Sequence, residues 1–155
     1  LYPDLLIDID AEQAAVSEHG TICVLHPLHW YSAPAIVKQW IDLVLEHGWA
    51  YGHGGDRCAG KTWTHAIAAG APEGAYAKDG PNGATLRQLL LPFEATARLC
   101  GMRFVEPFVM YGTHRATDAD RGSATAAFTA WLDELAADGD RRALTIAAPE
   151  VEHAR

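Results

Sequence analysis

The sequence has few positive charges and few cysteines, and it has no long apolar run. Its 12 lysines and arginines are scattered singly among 20 aspartates and glutamates, which gives a formal net charge of −8. No basic stripe follows a phosphate backbone, so we expect no nucleic-acid partner. No apolar stretch approaches the roughly 20 residues that cross a bilayer, and no basic segment followed by an apolar one opens the chain. We therefore expect a cytoplasmic protein.

The three cysteines, Cys23, Cys58 and Cys100, form no CxxC pair, and their odd number argues against a disulfide framework. We expect reduced thiols. His47, His53 and Cys58 offer metal-binding groups, but their spacing matches no structural zinc pattern. His26 and His29 have no acidic or sulfur ligand close in sequence, and we expect them at the roof or wall of a ligand pocket instead. We predict no metal site.

The composition is that of one globular domain. Of the 155 residues, 49% are hydrophobic and 21% are charged, which is enough apolar material for a real core. The last residues, "DRRALTIAAPEVEHAR", show no strong periodicity. We predict a domain over residues 1–140 and a C-terminal extension over residues 141–155.

Three apolar, β-branched runs predict buried strands, at Thr21–His26, Trp63–Ala69 and Arg103–Tyr111. Pro107 indicates a bulge or an edge position in the third run. His65 lies inside the second run and is expected to be a hydrogen-bonded core histidine. Each of the three runs is followed by a loop rich in Gly, Pro, His or Tyr.

Three helices are predicted to follow these strands. The first is expected to be capped by Ser32 and to end at Gly48. The second covers residues 84–101, with a kink at Pro92 and an end at Gly101. The third begins near Thr117. This alternation of strands and helices predicts an α/β fold with a parallel sheet.

Ligands of parallel α/β sheets bind beyond the carboxyl ends of the strands. The loops "HPLHWYSAP" and "AAGAPEGAY" are therefore expected on the same rim of the sheet. Trp30 and Tyr31 offer an aromatic wall for a planar ligand, and backbone amides along residues 28–31 offer donors. In the alternative interpretation, Trp30 only plugs the edge of the sheet. The two interpretations remain open on the sequence alone.

The segment "HPLHWYSAPAIVKQWIDLVLEHGWAYGHGG" resembles the flavodoxin-like NAD(P)H:quinone oxidoreductases, above all the ancillary flavoproteins of glutathione-gated potassium-efflux systems. The resemblance continues through "LYPDLLIDIDAEQ", "GKTWTHAIAAGAPE", "LPFEATARLCGM" and "EPFVMYGTH". Because several blocks agree in order and spacing, it is more specific than a single motif.

The resemblance implies a flavodoxin-like, three-layer α/β fold with FMN or FAD as cofactor and NAD(P)H as co-substrate. It implies two-electron hydride transfer to a small quinone by a ping-pong route. The alternative is a non-catalytic or bifunctional regulatory subunit that docks on a potassium-efflux transporter at the inner face of the membrane. A one-electron flavodoxin carrier is a third interpretation, but such a carrier has no need of the "HGWAYG" segment.

The resemblance also implies site residues. The flavin-ring loop corresponds to Leu28, His29, Trp30 and Tyr31. A second loop, at the polar edge of the ring, corresponds to Ala68, Ala69, Gly70 and Ala71. The family more often has threonines at the first two of these positions, so contacts there must come from backbone amides. Tyr76 corresponds to a tyrosine over the reactive face of the flavin.

A two-fold homodimer is implied as well, in which the segment after the first helix crosses to the partner. Tyr51 and His53 would then close the partner's flavin site, and with Tyr76 they are the candidate catalytic residues. An ordinary glycine-rich surface loop is the alternative for this segment.

In the family, a strand, a phosphate-binding loop, a helix and a second strand come before the position of Leu1, and the chain as printed lacks them. With the flavodoxin strand order 2-1-3-4-5, the three predicted strands are neighbours at positions 3, 4 and 5. Thr21–His26 is then expected at an unpaired inner edge of the sheet.

Overall fold

A computed structural model describes residues 6–138 and 144–147 of the chain. The helices are α1 (Ile9–Glu18), α2 (Ala35–Val44), α3 (Leu86–Leu89), α4 (Leu91–Leu99) and α5 (Asp118–Asp138). The strands are β1 (Thr21–Pro27), β2 (Thr62–Ala68), β3 (Arg103–Phe104), β4 (Phe108–Met110) and β5 (Leu144–Ala147). Two 3-10 turns lie at Glu73–Tyr76 and Thr113–Arg115.

The strands form one parallel sheet in the order β3-β2-β1-β5, and β4 also pairs with β2. The prediction that the three apolar runs are neighbours is confirmed, with helices on both sides of the sheet. The third run is interrupted at residues 105–107, so that its two ends, β3 and β4, pair separately with β2. Pro107 lies in this gap, where its missing N–H costs no ladder hydrogen bond.

The prediction of an unpaired inner edge at Thr21–His26 is wrong for its first four residues, Thr21–Val24. β5 lies beside β1 in parallel, with Thr21 opposite Leu144 and Val24 opposite Ala147. Residues 144–147 of the predicted C-terminal extension are therefore a strand of the sheet. The domain boundary at residue 140 stays a prediction.

The ends of α2 also differ from the prediction. Ser32 does not cap this helix, which begins at Ala35 after Pro34 without a side-chain cap. Ser32 instead exchanges backbone hydrogen bonds with His29. The helix ends at Val44, four residues before Gly48, because the chain turns into a loop at Leu45.

The predicted helix over residues 84–101 is two helices rather than one kinked helix. Thr85 and Gln88 form a capping box at the start of α3, and α4 starts after Leu90 with Pro92 in its first turn. Proline fits a first turn better than a helix interior, since the N–H that it lacks has no partner there. The predicted end at Gly101 is confirmed by its φ of +70°.

The sequence did not predict α1, whose apolar periodicity is weak because Val16 is its only buried residue. Asp8 caps it by accepting a hydrogen bond from the Ala11 amide at 3.0 Å. The start of α5 near Thr117 is confirmed, since the hydroxyl of Thr117 accepts from the Asp120 amide.

The core lies between the sheet and the helices and centres on β2, whose residues 62–67 are all buried. Trp40 of α2 packs edge-on against Trp63 of β2, with ring centroids 6.3 Å apart. The three cysteines are free, and all three are buried, one more than the two expected in or near the core. Burial raises the pKa of Cys23 and of Cys58 to about 12. Within residues 6–138 and 144–147, no helix is long and apolar enough to span a membrane.

Candidate functional site

The two loops predicted to share a rim do meet. Pro27 and Ala68 are opposite each other at the ends of β1 and β2. Beyond this pair, the Leu28 amide donates a hydrogen bond of 2.8 Å to the Ala68 carbonyl oxygen. The β1–β2 ladder thus runs one bond into the loops, which places residues 28–31 beside residues 68–71.

Trp30 and Tyr31 form the centre of a two-residue turn. His29 and Ser32 close it with two backbone hydrogen bonds of 2.9 and 3.0 Å. Trp30 has a φ of 49° and Tyr31 a φ of 62°. Positive φ at both central positions is the condition of a type I′ turn, which usually contains Asn and Gly. For other residues this conformation costs about 1–2 kcal/mol each.

The turn presents its aromatic side chains to solvent. Trp30 is 85% exposed and Tyr31 is 52% exposed. The alternative in which Trp30 plugs the sheet edge is therefore wrong. Within residues 6–138, the backbone amides of Trp30 and Tyr31 donate no hydrogen bond. Two unused donors and two exposed rings thus lie together on this rim, at a strained turn of the kind that often marks a functional site.

The second loop is held rigidly by the strand beside it. The Ala69 amide donates to the Met110 carbonyl, and the Ala69 carbonyl accepts from the Thr113 amide, so the backbone of this buried residue is fully engaged. The Gly112 amide donates to the Ala71 carbonyl at 2.9 Å. In the described part of the chain, the amides of Gly70 and Ala71 remain without an acceptor.

His114 is a site residue that the sequence did not reveal. Its exposed imidazole lies directly against Gly70, so that a Cβ at position 70 would collide with the ring. The absence of a side chain at Gly70 is what lets this ring lie against the backbone, since the φ of Gly70 is not in the left-handed region. In the block "EPFVMYGTH", Gly112 was the signal for a turn at His114. It precedes the 3-10 turn Thr113–Arg115 and has a φ of +71°.

Tyr76 stands in the 3-10 turn after the second loop. Its ring packs against Tyr111, with centroids 5.7 Å apart, and both tyrosines line a cavity of about 350 Å³ beside α3 and β4. Burial, and to a smaller extent the charge of Glu73, raises the pKa of Tyr111. Farther along this loop, the side-chain nitrogen of Asn82 is buried without a partner among the described residues.

Tyr51 and His53 are not brought to Tyr76 within one chain. Tyr51 lines a separate groove of about 540 Å³ between α2 and α4, which also contains Ser32 and Ala33. His53 is exposed. The loop that carries them is ordered, because Ala50 is buried and the Arg57 amide donates to the Trp49 carbonyl at 3.1 Å.

The candidate metal ligands of this loop do not form a cluster. Cys58 is buried with a raised pKa, and the ring of His47 packs edge-on against Tyr51 at 5.5 Å. No group of three or more His, Cys, Asp or Glu side chains that could hold a metal ion occurs in the described ranges.

We predicted that His26 lines the ligand pocket at the rim. In the structure it points into the core instead. Its Nε2 lies 2.9 Å from Nδ1 of His65, and its Nδ1 lies 2.9 Å from the Pro27 carbonyl oxygen. The Trp63 indole donates to Nε2 of His65 at 2.9 Å. The prediction of a hydrogen-bonded core histidine at position 65 is confirmed. Burial lowers the pKa of His26, and burial together with His26 lowers the pKa of His65 to about 3.

Comparison with known proteins agrees with this geometry. Residues 1–137 match the family described as having a flavodoxin-like fold. The chain is 41% identical over 140 residues to the glutathione-regulated potassium-efflux system ancillary protein KefG of Shigella flexneri serotype 5b (strain 8401). The alignment covers 90% of this chain and 76% of that protein.

Two solved structures are also similar. General stress protein 14 of Treponema denticola, in complex with FMN, is 36% identical with a TM-score of 0.79, over 86% of this chain and 76% of that one. A protein of P. pentosaceus described as an NADPH-quinone reductase is 26% identical with a TM-score of 0.76, over 84% of this chain and 76% of that one.

The two buried histidines predict a loss of stability in mild acid. Their pKa values are lower in the folded chain than the ordinary value of 6.5, so below pH 6.5 the unfolded chain binds more protons. This contribution to stability is complete above pH 6.5 and decreases as the pH falls towards 3. The free energy of unfolding should fall by about 1.4 kcal/mol per pH unit for each proton taken up on unfolding.

Urea denaturation at pH 7.5, 6 and 5 measures this slope. His65→Gln is the control, because glutamine accepts and donates hydrogen bonds at this position but does not titrate. The variant should lose less stability than the native chain between pH 6 and pH 5. Equal slopes would contradict the assignment.

Proposed function

The chain belongs to the flavodoxin-like NAD(P)H quinone reductase family, and from that premise we propose that it is a flavin-dependent NAD(P)H:quinone oxidoreductase. The observation that carries the proposal is the strained turn at Trp30 and Tyr31. It presents two aromatic side chains and two amides at the rim of the sheet, beside two further amides at Gly70 and Ala71, and none of these four amides has an acceptor among the described residues.

These groups suit the ring system of FMN or FAD. A planar, mostly apolar ring with carbonyl and nitrogen acceptors needs a flat wall and a few donors at its edge. Trp30 supplies the wall, with Leu28, His29 and Tyr31 beside it in the same loop. The loop at Ala68, Ala69, Gly70 and Ala71 supplies donors from Gly70 and Ala71, while Ala69 serves by holding the loop in place. The FMN complex of the similar Treponema denticola protein supports this choice of cofactor.

When bound, the flavin would pass two electrons from NAD(P)H to a small quinone. The chain holds the ring in one orientation, and the exposed face of Trp30 is covered on binding, which removes water from the site. Tyr76 is the candidate hydrogen-bond donor to the oxygen of the acceptor, and the unpaired nitrogen of Asn82 lies in the same loop. Because donor and acceptor use one pocket in turn, we propose a ping-pong route.

A two-fold homodimer would complete the site. The groove between α2 and α4 contains Tyr51, and the exposed apolar residues Leu43, Leu91 and Leu99 lie on these two helices. Tyr51 and His53 lie on an ordered loop and are not brought to Tyr76 in their own chain. We propose that they close the site of the partner subunit.

A regulatory role is the second candidate function. The 41% identity to the ancillary protein KefG favours a cytoplasmic subunit that docks on a potassium-efflux transporter at the inner face of the membrane. The same flavin site would then serve as a sensor, with or without turnover. We propose no metal at His47, His53 and Cys58, and elemental analysis that finds no tightly held zinc is the expected result.

Flavin binding is the first test. The native protein should purify yellow or bind added FMN or FAD, measured by the quenching of flavin fluorescence. Trp30→Ala should weaken binding by about tenfold or more, because it removes the stacking wall. Trp30→Phe is the matched control and should keep most of the affinity. A colourless protein that ignores both flavins would refute the proposed function.

The turn itself offers a sharper variant of this test. Trp30→Asn combined with Tyr31→Gly places the preferred residues of a type I′ turn at both positions. The free energy of unfolding of the double variant should be higher by about 2–4 kcal/mol, because the strain is relieved at both positions. It should also lose the flavin, so stability and binding are expected to move in opposite directions.

Turnover separates the enzyme from the regulator. Steady-state kinetics with NADH or NADPH and a small quinone should give parallel double-reciprocal lines. Tyr76→Phe should spare flavin binding and slow quinone reduction by about five- to a hundredfold, the effect of one lost hydrogen bond. Tyr111→Phe, in the neighbouring ring, is the control and should have little effect. If the flavin-loaded protein is no faster than free flavin, the regulatory role is the better account.

Association can be tested at the exposed end of α4. Leu99→Glu should weaken the dimer by about tenfold or more, because a charge would replace an apolar side chain at the interface. Leu6→Glu changes an even more exposed leucine outside the groove and should leave association unchanged. Light scattering at micromolar concentration measures both. A native protein that is monomeric there would contradict the dimer.

A further inference from the structure

A chain of three hydrogen bonds leads from the centre of the sheet to the carboxyl end of β1. The Trp63 indole donates to His65, His65 is hydrogen-bonded to His26, and His26 is hydrogen-bonded to the Pro27 carbonyl oxygen. Each of the three bonds is 2.9 Å long. An indole N–H can only donate and a carbonyl oxygen can only accept. The direction of every bond in the chain is therefore determined by its two ends.

This direction assigns the proton of each imidazole. Because Nε2 of His65 accepts from Trp63, the single proton of neutral His65 lies on Nδ1 and is donated to Nε2 of His26. The proton of His26 then lies on its own Nδ1 and is donated to the Pro27 carbonyl. All polar atoms of the chain are satisfied in this arrangement, with both rings neutral.

The outer end of the chain holds the peptide group that leads into the flavin-ring loop. The carbonyl of Pro27 and the amide of Leu28 belong to one planar peptide. His26 donates to the oxygen of this peptide, and the N–H of the peptide, on Leu28, donates to the Ala68 carbonyl at 2.8 Å. Two hydrogen bonds on opposite sides thus fix the plane of this peptide. They also fix the direction in which the polypeptide backbone enters the turn at Trp30.

The surroundings leave the imidazoles little freedom. His65 is fully buried and His26 is 4% exposed. Phe93 of α4 covers both rings, with its centroid 4.7 Å from that of His65 and 6.4 Å from that of His26. Neither ring can turn away without displacing this helix, so the chain of hydrogen bonds is as rigid as the core around it.

We propose that His65, acting through His26, is a positioning residue for the flavin-ring loop. The chain from Trp63 to Pro27 holds the first peptide of the loop, so that the strained turn keeps the amides of Trp30 and Tyr31 directed at the rim. The inference rests on the proposed function for its ligand, but the position of the loop can be measured without any ligand.

Three variants test it. His65→Leu removes both bonds of the imidazole, whereas His65→Gln keeps an acceptor for Trp63 and a donor for His26. Ile67→Val, in the same strand and opposite His26 in the sheet register, removes a buried methyl group but no hydrogen-bonding atom of this hydrogen-bond chain. The readouts are the amide NMR signals of Trp30 and Tyr31 in the flavin-free protein, and the dissociation constant of FMN.

His65→Leu should shift the two amide signals and weaken FMN by about tenfold, the usual effect of a loosened supporting shell. His65→Gln should restore both readouts to within about threefold of native affinity. Ile67→Val should leave them unchanged. If His65→Leu behaves like Ile67→Val in signals and affinity, the proposal is wrong and the histidines only fill the core.

The test stays decisive in two unfavourable cases. If His65→Leu does not fold, Trp63→Phe takes its place: it keeps one aromatic ring, removes the N–H that directs the hydrogen-bond chain together with part of the indole, and should shift the same amide signals. If the native protein binds no FMN, the proposed function fails, and the amide signals alone decide the position of the loop.

Discussion

The peptide between Pro27 and Leu28 is the point on which the candidate site depends. It is the last part of β1 held by the sheet, since its N–H bonds to Ala68 of β2 while its oxygen bonds to the buried His26. Parallel pairing brings the ends of two strands to one rim, but it does not by itself orient the loops that leave them. Here the orientation comes from two hydrogen bonds on a planar group. The aromatic turn and the alanine-rich loop are neighbours for that reason.

The turn at Trp30 and Tyr31 destabilises the fold. Two bulky residues in the left-handed region are less stable there than asparagine and glycine, and the exposed ring of Trp30 contributes no burial in return. The surrounding structure overcomes this cost, because the bonds between His29 and Ser32 close the turn and the rigid ladder holds its base. Strain of this kind, with donors left free, is consistent with a surface built for a ligand.

The sequence predicted the parts of the fold that depend on local apolar runs. β1 and β2 are buried at most positions, so each appears in the sequence as a continuous apolar run, and the rule for parallel sheets then placed both loops on one rim. β5 and α1 were missed because the tail lacks a period and α1 buries one side chain. The direction of His26 was also beyond the sequence, since its partner His65 is 39 residues away. Likewise, the contact of His114 with Gly70 depends on how β4 returns beside β2.

The arrangement of the tyrosines bears on whether the site is used for chemistry. A single chain offers Trp30 against one face of a flat ring and backbone amides at the edge of the ring. These groups can hold the ring but leave the second face of the ring open to water. Tyr51 lines a separate groove beside α2 and α4, and in the proposed homodimer Tyr51 and His53 of a second copy would supply the missing cover. Electron transfer between two stacked rings benefits from the exclusion of water, whereas sensing requires only that a bound flavin alters the surface. In the proposed dimer, enclosure by the partner subunit would favour turnover over sensing, so the dimer proposal and the catalytic proposal depend on each other.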